Sequence, residues 1–227
     1  MRTYKNITFD NDYPTIRAMQ SLSYPQVTVE DYRNSFYQIG QALGRALNIK
    51  TNQQYGNTML ACASEDADWL AKGVLDTITP NKLSLAVFWN SRITLDAKTK
   101  LEYSPIIKSY IEPIEECQTL ILVKSIISTS CVVKSQLLHL ISQINPQIIY
   151  IVSPVMYKNS QQSLEKVFPA SISSKFRFLT FAIDTVKTTE GNIIPGVGGM
   201  IYPKLGLGDS NEKNKYTPEI VKLRAGI

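Results

Sequence analysis

The stretch LILVKSIISTSCVVKSQLLHLISQINPQIIYIVS, residues 120–153, decides the fold class. Two short apolar runs, 119–123 and 147–153, flank a segment in which Val133, Leu137 and Leu140 recur at helical spacing. Short runs of bulky apolar residues are typical of strands that are buried on both faces. A strand, a helix and a strand in this order predict a βαβ unit, whose two strands lie parallel and whose crossover is right-handed.

The same alternation of elements extends over most of the chain. Thr28 begins the capping sequence TVED, with Asp31 in the first turn, and apolar residues then recur at helical steps as far as Leu47. Two further helices and two further buried strands are predicted, the helices from Ser64 to 78 and over 161–168, and the strands over 83–89 and 176–183. The chain is therefore predicted to be an α/β protein with a twisted, mainly parallel sheet and helices on both faces.

Composition narrows the class of protein. The chain has 227 residues, 44% of them hydrophobic, which is enough for one large domain, and its net charge of +5 is spread without a basic run. No nucleic-acid site is predicted from this charge. The three cysteines have no CxxC spacing, so neither disulfides nor a metal site is expected. No apolar run is long enough for a membrane span, and we expect a cytoplasmic protein or one in a soluble organelle compartment such as the plastid stroma.

A change of composition marks the C-terminal part. Residues 184–208 contain six glycines and two prolines, which predicts a long ordered loop, or hood, over the carboxyl edge of the sheet. We therefore divide the chain into one domain, 1–208, and a charged C-terminal tail, 209–227. The tail is expected to dock through Tyr216 and Ile220.

Four residues that are common in functional sites are better explained by structure. His139 lies well inside the helix that follows residue 130, and Cys131 has no base or second thiol beside it in the sequence. Trp69 and Trp89 lie on a predicted helix and strand and are interpreted as core or interface residues. No catalytic residue is predicted from this group.

The turn 124–130 lies where α/β proteins hold phosphate groups, between a strand and a helix. Lys124 and the hydroxyls of Ser125, Ser128, Thr129 and Ser130 could donate to an anion there. A tight phosphate cradle normally also needs glycine, which lets the anion approach the backbone, and this turn has none. The turn is either an unusual phosphate site or an element of architecture.

Three stretches carry a resemblance to uracil phosphoribosyltransferases, which are type I phosphoribosyltransferases. The most specific is FAIDTVKTTEGNIIPGVGG, which is similar to the family's C-terminal IDxxLNExGYIIPGLGD. TKLEYSPIIKSYIEPIEECQTLILVKSIISTSCVV and NTMLACASEDADWLAKGVLDTIT match the family's DPMLATGGS and RAG regions by position. The resemblance covers nearly the whole chain and implies a type I phosphoribosyltransferase-like fold with the hood at its C-terminus.

The resemblance also implies that the site for phosphoribosyl pyrophosphate (PRPP) is degenerate. The family's acid falls on Lys124, its proline on Ser125 and its paired glycines on Ser130 and Cys131, while Thr129 keeps the family residue.

Two family arginines that bind PRPP are also changed. One falls on Ala61 and the other near Leu95, with Arg92 as an alternative partner for that position. The aspartate that follows PGLG falls on Gly199. What the resemblance leaves is the backbone that reads uracil, at Ile193 and Gly198 with Gly199 and Met200 beside them.

The predicted function is that of a phosphoribosyltransferase-like protein without PRPP-dependent catalysis, which serves as a binding, regulatory or scaffold subunit with a residual pyrimidine or nucleotide pocket. Its predicted partners are a second copy of the chain, in a homodimer formed partly through an arm near 90–112, or the other subunits of a complex. The alternative is an active uracil phosphoribosyltransferase that makes UMP. Only this alternative requires PRPP and Mg²⁺ as substrate and cofactor, and the predicted pseudoenzyme has neither cofactor nor metal.

Overall fold

The fold is built on one mainly parallel sheet. The computed structural model describes residues 1–7, 12–91, 93–96, 101–189 and 191–227, and only the backbone of 94–96, 101 and 102. The strands are β1 (Arg2–Tyr4), β2 (Asn57–Ala63), β3 (Lys82–Asn90), β4 (Ile93–Asp96), β5 (Leu101–Tyr103), β6 (Ile106–Ile111), β7 (Thr119–Val123), β8 (Ile126–Ile127), β9 (Ile148–Tyr157), β10 (Phe176–Asp184), β11 (Val186–Lys187) and β12 (Ile193–Ile194). The helices are α1 (Tyr13–Ser21), α2 (Val29–Thr51), α3 (Ser64–Asp66), a π-helical turn (Ala67–Ala71), α4 (Lys72–Leu75), α5 (Cys131–Ile141), α6 (Ser160–Glu165), α7 (Ala170–Ser173), α8 (Ile201–Lys204), α9 (Ser210–Lys215) and α10 (Glu219–Ala225).

Five parallel strands form the centre of this sheet. The order across the described part of the sheet is β1-β10-β9-β7-β2-β3-β6, and β8 extends β9 by two further pairs. β10, β9, β7, β2 and β3 run parallel, while β1 and β6 are antiparallel edge strands. In chain order the parallel strands are therefore arranged 2-1-3-4-5. The predicted βαβ unit, β7-α5-β9, is confirmed with its strands side by side and parallel.

Helices cover both faces of the sheet, as predicted. On one face α2 packs through residues of its buried stripe, among them Tyr32, Phe36 and Leu43, together with the π-helical turn and α10. On the other face α5 and α6 pack through Val133, Leu137 and Leu164. The predicted fold class, a mixed α/β protein with a mostly parallel sheet, is confirmed.

The start of α2 follows the capping prediction. Thr28 is the N-cap, and its hydroxyl accepts a hydrogen bond from the backbone N–H of Asp31. Further along, Gly40 lets the helix approach its neighbour, because a Cβ at Gly40 would lie 2.2 Å from the carbonyl oxygen of Leu70. This close contact of backbones seats the helical segment that follows β2.

The C-terminal region has more regular structure than predicted. Residues 184–208 are not one continuous loop, since the β11–β12 hairpin and the single turn α8 lie within them. Residues 209–227, predicted as a charged tail, contain α9 and α10. Tyr216 and Ile220, the expected docking residues, do contact the domain, Tyr216 by stacking on Trp69 and Ile220 by a bond from its N–H to Asp68.

The predicted structural residues lie in the interior or in contact with it. Trp89 is fully buried in β3, and Trp69 is half-buried on the π-helical turn. His139 contacts the ring of Phe88 edge-on, at 5.5 Å between ring centroids. Among the described residues, no helix is both long and apolar enough to cross a membrane.

Candidate functional site

The candidate site lies at the carboxyl edge of the sheet, between β2 and β7. Neighbouring parallel strands whose crossovers go to opposite faces of the sheet leave a crevice at their carboxyl ends, where α/β proteins bind ligands. In the order 2-1-3-4-5 this point falls between the first and third strands, here β2 and β7. Glu65 and Asp66 follow β2, and Lys124 and Ser125 follow β7, so these four residues meet in the crevice.

The crevice is filled by an ion network. The ammonium of Lys124 lies 2.6 Å from Oδ2 of Asp66 and 3.2 Å from Oε1 of Glu65, and it also donates to Oγ of Ser125 at 3.1 Å. The backbone N–H of Ser125 donates to the other oxygen of Asp66 at 3.3 Å. Lys124 is only 7% exposed and both acids are 2% exposed, so these charges are removed from water and pair with each other.

A second ammonium enters the crevice from the C-terminal region. Lys213 on α9 is fully buried, with its Nζ 3.5 Å from Oε2 of Glu65 and 2.8 Å from the backbone carbonyl of Asn90 at the end of β3. The side-chain oxygen of Asn90 in turn accepts from the amide of Gln136 on α5. Two acids and two ammonium groups therefore balance within one closed volume.

The electrostatics of the network keep Lys124 and Glu65 charged. Burial alone lowers the pKa of Lys124, but Asp66 and Glu65 outweigh burial and hold that pKa well above its ordinary value. Burial raises the pKa of Glu65, but the ammonium groups of Lys124 and Lys213 outweigh it and leave the pKa below its ordinary value. Each of these two groups therefore stays ionised at neutral pH because its counter-ions are built in. Burial raises the pKa of Asp66 above its ordinary value, and Lys124 offsets only part of that increase.

The turn 124–130 is partly a strand. Ile126 and Ile127 pair with Val155 and Met156 as β8, which lays the turn along β9. Ser160 fastens it further, because its hydroxyl lies 2.9 Å from the carbonyl oxygens of both Ile127 and Ser128. The sequence predicted a hydroxyl-rich turn here, and it did not predict the two-residue strand β8 within it. Pairing with β9 directs the backbone along the sheet.

The predicted phosphate-loop residues do not converge on one point. Ser125 is buried and faces the ion network, whereas Thr129 is exposed. Ser130 is in the left-handed conformation at the start of α5, with φ at 63°, and its hydroxyl donates to the carbonyl of Ser160. Ser128 is half-buried.

The first of the family's two arginine positions does not reach the crevice. Ala61 lies inside β2, with its side chain in the apolar core below the crevice. The residues that this strand presents to the crevice come later, at Glu65 and Asp66. Arg92 lies outside the described residues.

In the loop predicted to bind uracil, several backbone groups are already hydrogen-bonded within the protein. The N–H of Gly196 donates to Asp184 at 2.9 Å, and the carbonyl of Val197 accepts from the hydroxyl of Tyr32 at 2.7 Å. The N–H of Gly198 donates to the carbonyl of Pro195 at 3.2 Å. The side chain of Ile193 is buried, while Gly199 and Met200 are exposed.

The two predicted site regions are neighbours. A Cβ at Gly196 would lie 3.2 Å from Cδ1 of Ile126 in β8, so the loop 193–200 packs on the turn 124–130. The helix predicted from Ser64 begins with Glu65 and Asp66, and the sequence pattern did not indicate that these acids enter the crevice. It also missed Lys213, which it placed in a solvated tail. A clue to the acids was available in the apolar run 59–63, which directly precedes Ser64 and the acids.

The fold and this edge define a class: a doubly wound α/β protein whose ligand crevice is occupied by its own charged side chains. No protein-family model and no curated protein matches the chain. Solved structures do match. The AQ2163 protein from Aquifex aeolicus has a TM-score of 0.67 at 13% sequence identity, over 84% of this chain and 93% of that one.

Phosphoribosyltransferases are also among the structural neighbours, at lower similarity. A hypoxanthine phosphoribosyltransferase from Staphylococcus aureus has a TM-score of 0.39 and 17% identity over 62% of this chain and 71% of that one. The APRTase from Giardia lamblia, in complex with 9-deazaadenine, has a TM-score of 0.40 and 10% identity over 62% of this chain and 78% of that one. At such identities, structural similarity concerns the fold alone.

Proposed function

We propose that this protein is a phosphoribosyltransferase-like protein without transferase activity, which acts as a binding, regulatory or scaffold subunit. The observation that carries the proposal is the ion network in the crevice, where Lys124 is bound to Asp66 at 2.6 Å and to Glu65 at 3.2 Å. In the crevice between β2 and β7, where a ligand would bind, the chain places its own charged side chains.

Phosphoribosyl transfer depends on holding PRPP in position and on neutralising the departing pyrophosphate. At this edge the two ammonium groups, Lys124 and Lys213, already neutralise Glu65 and Asp66. To bind a pyrophosphate they would have to leave two buried carboxylates without counter-ions, and breaking a buried pair costs about 3–5 kcal/mol. Binding of the PRPP pyrophosphate by these two lysines is therefore disfavoured.

A pyrimidine or nucleotide remains the proposed small ligand. Gly199 and Met200 are the exposed end of the loop that resembles the family's uracil-reading backbone. Main-chain donors and acceptors do not depend on side-chain identity, so recognition of a base can outlast the loss of catalysis. A thermal-shift titration with uracil, UMP and PRPP tests this ligand class, and a concentration-dependent rise in Tm with uracil or UMP is the expected result.

The proposed partners are a second copy of the chain or the other subunits of a complex. The edge strand β6 and the β4–β5 hairpin belong to the segment that resembles the family's dimer arm. Size-exclusion chromatography with light scattering measures the homodimer, and pull-down from the native source identifies other subunits. A monomer that retains no partner would contradict the scaffold part of the proposal.

The decisive experiment is a turnover assay with PRPP, Mg²⁺ and uracil, in which UMP is measured by mass spectrometry. We expect no UMP above the level without protein. UMP formation by the wild type that is abolished in Thr129→Ala would overturn the proposal and favour an active uracil phosphoribosyltransferase. UMP formed equally by both proteins would point to a contaminating enzyme, and a repeat with protein purified by a second route would then decide.

A further inference from the structure

The surroundings of Lys213 have the composition of a receptor for an organic ammonium group. Its Nζ is 2.8 Å from the carbonyl oxygen of Asn90, 3.5 Å from Oε2 of Glu65, and 5.0 Å from the centroid of the Tyr202 ring. A carbonyl, a carboxylate and an aromatic face are the three groups that bind a primary ammonium by hydrogen bond, charge and cation–π attraction. They come from three separate elements, β3, α3 and α8.

This receptor shares Glu65 with the site of Lys124 but uses the other oxygen of its carboxylate. Lys124 binds Oε1 of Glu65, whereas Lys213 faces Oε2. Within the described part of the chain, Oε2 is buried without a hydrogen-bond partner, so the contact with Lys213 is the ion contact that compensates it. Without Lys213 this buried carboxylate oxygen would face an empty space.

The helix that supplies Lys213 is short, and residues on other elements help to hold it in place. α9 has six residues and begins at the Asp209–Glu212 capping box. Just beyond its end, the indole N–H of Trp89 donates to the carbonyl of Tyr216 at 2.7 Å, and the hydroxyl of Tyr216 bonds to Asp68. The capping box stabilises the start of α9, and the contacts of Tyr216 hold the chain just beyond its end. Between them, Lys213 is the buried charge of the helix.

We propose that Glu65, Asn90 and Tyr202 form a binding site for a primary alkylammonium ion, and that Lys213 is its tethered ligand. The site recognises the chemistry at the end of a lysine side chain: a positive charge, N–H donors and an unbranched stem. A free amine of this class binds when the lysine is removed. The site stands whether or not the protein transfers phosphoribosyl groups.

Chemical rescue tests the proposal on the full-length chain. Lys213→Ala removes the four atoms beyond Cβ, which propylammonium replaces. We expect the Tm of Lys213→Ala to fall by roughly 10 °C, since a buried carboxylate loses its counter-ion. Propylammonium chloride should then raise the Tm of this variant in a saturable way at constant ionic strength, and should leave the wild type unchanged.

Matched controls separate recognition of the ammonium from filling of a cavity. 1-Propanol has the same shape without charge, and tetramethylammonium has the charge without an N–H donor; neither should rescue. Lys213→Met keeps the stem in place and should be destabilised but insensitive to propylammonium. Lys215→Ala changes an exposed lysine of the same helix and should be insensitive as well.

Several results would overturn the proposal. They are the absence of rescue by propylammonium, equal rescue by 1-propanol, and an equal rise in Tm for Lys215→Ala. If Lys213→Ala does not fold in plain buffer, refolding from urea with and without propylammonium replaces the melting experiment. An equal yield of folded protein in the two conditions would then count against the site.

Discussion

The turn 124–130 and the loop 193–200 contact each other, but different interactions hold them in place. At the beginning of the turn the crevice is filled by charge, with Lys124 bound between Asp66 and Glu65. In the loop the backbone is engaged by neutral and charged donors and acceptors, as at Gly196 and Val197. The first region depends on side-chain identity and the second on backbone geometry.

This difference separates what each region can tolerate. A buried ion network fails as a unit, because the loss of one charge leaves its partners uncompensated. A loop held by main-chain bonds and glycine conformations is sensitive only where a Cβ would clash or a donor is lost. The following changes are ordered by expected size, and each tests one side of this comparison.

The largest effect is expected for Lys124→Met. The substitution keeps much of the side-chain volume and removes the charge that compensates Asp66 and Glu65. We expect a loss of about 3–5 kcal/mol in the free energy of unfolding, measured by urea denaturation at neutral pH. The double variant Lys124→Met/Asp66→Asn should regain part of that loss. If the loss in the double variant equals the sum of the losses in Lys124→Met and Asp66→Asn, the two residues are not coupled.

Next in size is the matched pair Gly198→Ala and Gly199→Ala. Both glycines have positive φ, 81° and 100°, but a Cβ at Gly198 would lie 2.0 Å from the carbonyl oxygen of Leu22, while nothing lies within 4 Å of a Cβ at Gly199. We expect a loss of about 2–4 kcal/mol for Gly198→Ala and about 1–2 kcal/mol for Gly199→Ala. Equal losses in urea denaturation would show that the packing on Leu22 is not what holds the loop.

A smaller effect is expected for Tyr32→Phe. The variant removes the hydroxyl that donates to the carbonyl of Val197 at 2.7 Å and leaves the ring in the core. A buried carbonyl without its donor costs about 1–2 kcal/mol, and we expect that loss in urea denaturation. Tyr37→Phe, whose hydroxyl is bound to Asp76 at the surface, is the control and should change stability less.

The smallest effect is expected in the slope of the free energy of unfolding against pH. The pKa of Glu65 is lower in the folded chain than in the unfolded chain, so its contribution to stability is present above the unfolded value of about 4.3 and is lost as the pH falls through the folded value. The free energy of unfolding should therefore fall more steeply with acid in the wild type than in Glu65→Gln, by at most about 1.4 kcal/mol per pH unit. Parallel acid limbs would show that the pKa of Glu65 is the same in the folded and the unfolded chain.

Local patterns predicted the regular elements well. The cap at Thr28, the stripe that continues to Leu47, and the strands over 119–123 and 176–183 are present in the structure, because spacing and capping depend on neighbours in the chain. The helices of 209–227 were missed, since their short length and polar composition are those of a solvated tail. The strand β8 was missed for a related reason: its two residues are regular only because β9 lies beside them.

The candidate site was predictable in position and not in content. A strand, a turn and a helix at 120–141 place the turn at the carboxyl edge of a parallel sheet, and the structure has it there. The sequence also shows a lysine at position 124 where the family it resembles has an acid. That this lysine pairs with Asp66 requires the side-by-side position of β2 and β7, which are separated by more than fifty residues.

The sequence by itself determined α2, α5 and the core strands β3, β7, β9 and β10, since the apolar spacing and the caps that predict them lie within a few residues of each other. Only the tertiary structure decided which charged residues are buried and which of them pair. In the sequence, Lys124 is a candidate anion donor, Lys213 lies in a charged tail, and Glu65 and Asp66 lie at a predicted helix start. They form one buried network because strand order and the docking of α9 bring them to a single crevice. Ion pairing is set by distance in space, and a local pattern carries no record of it.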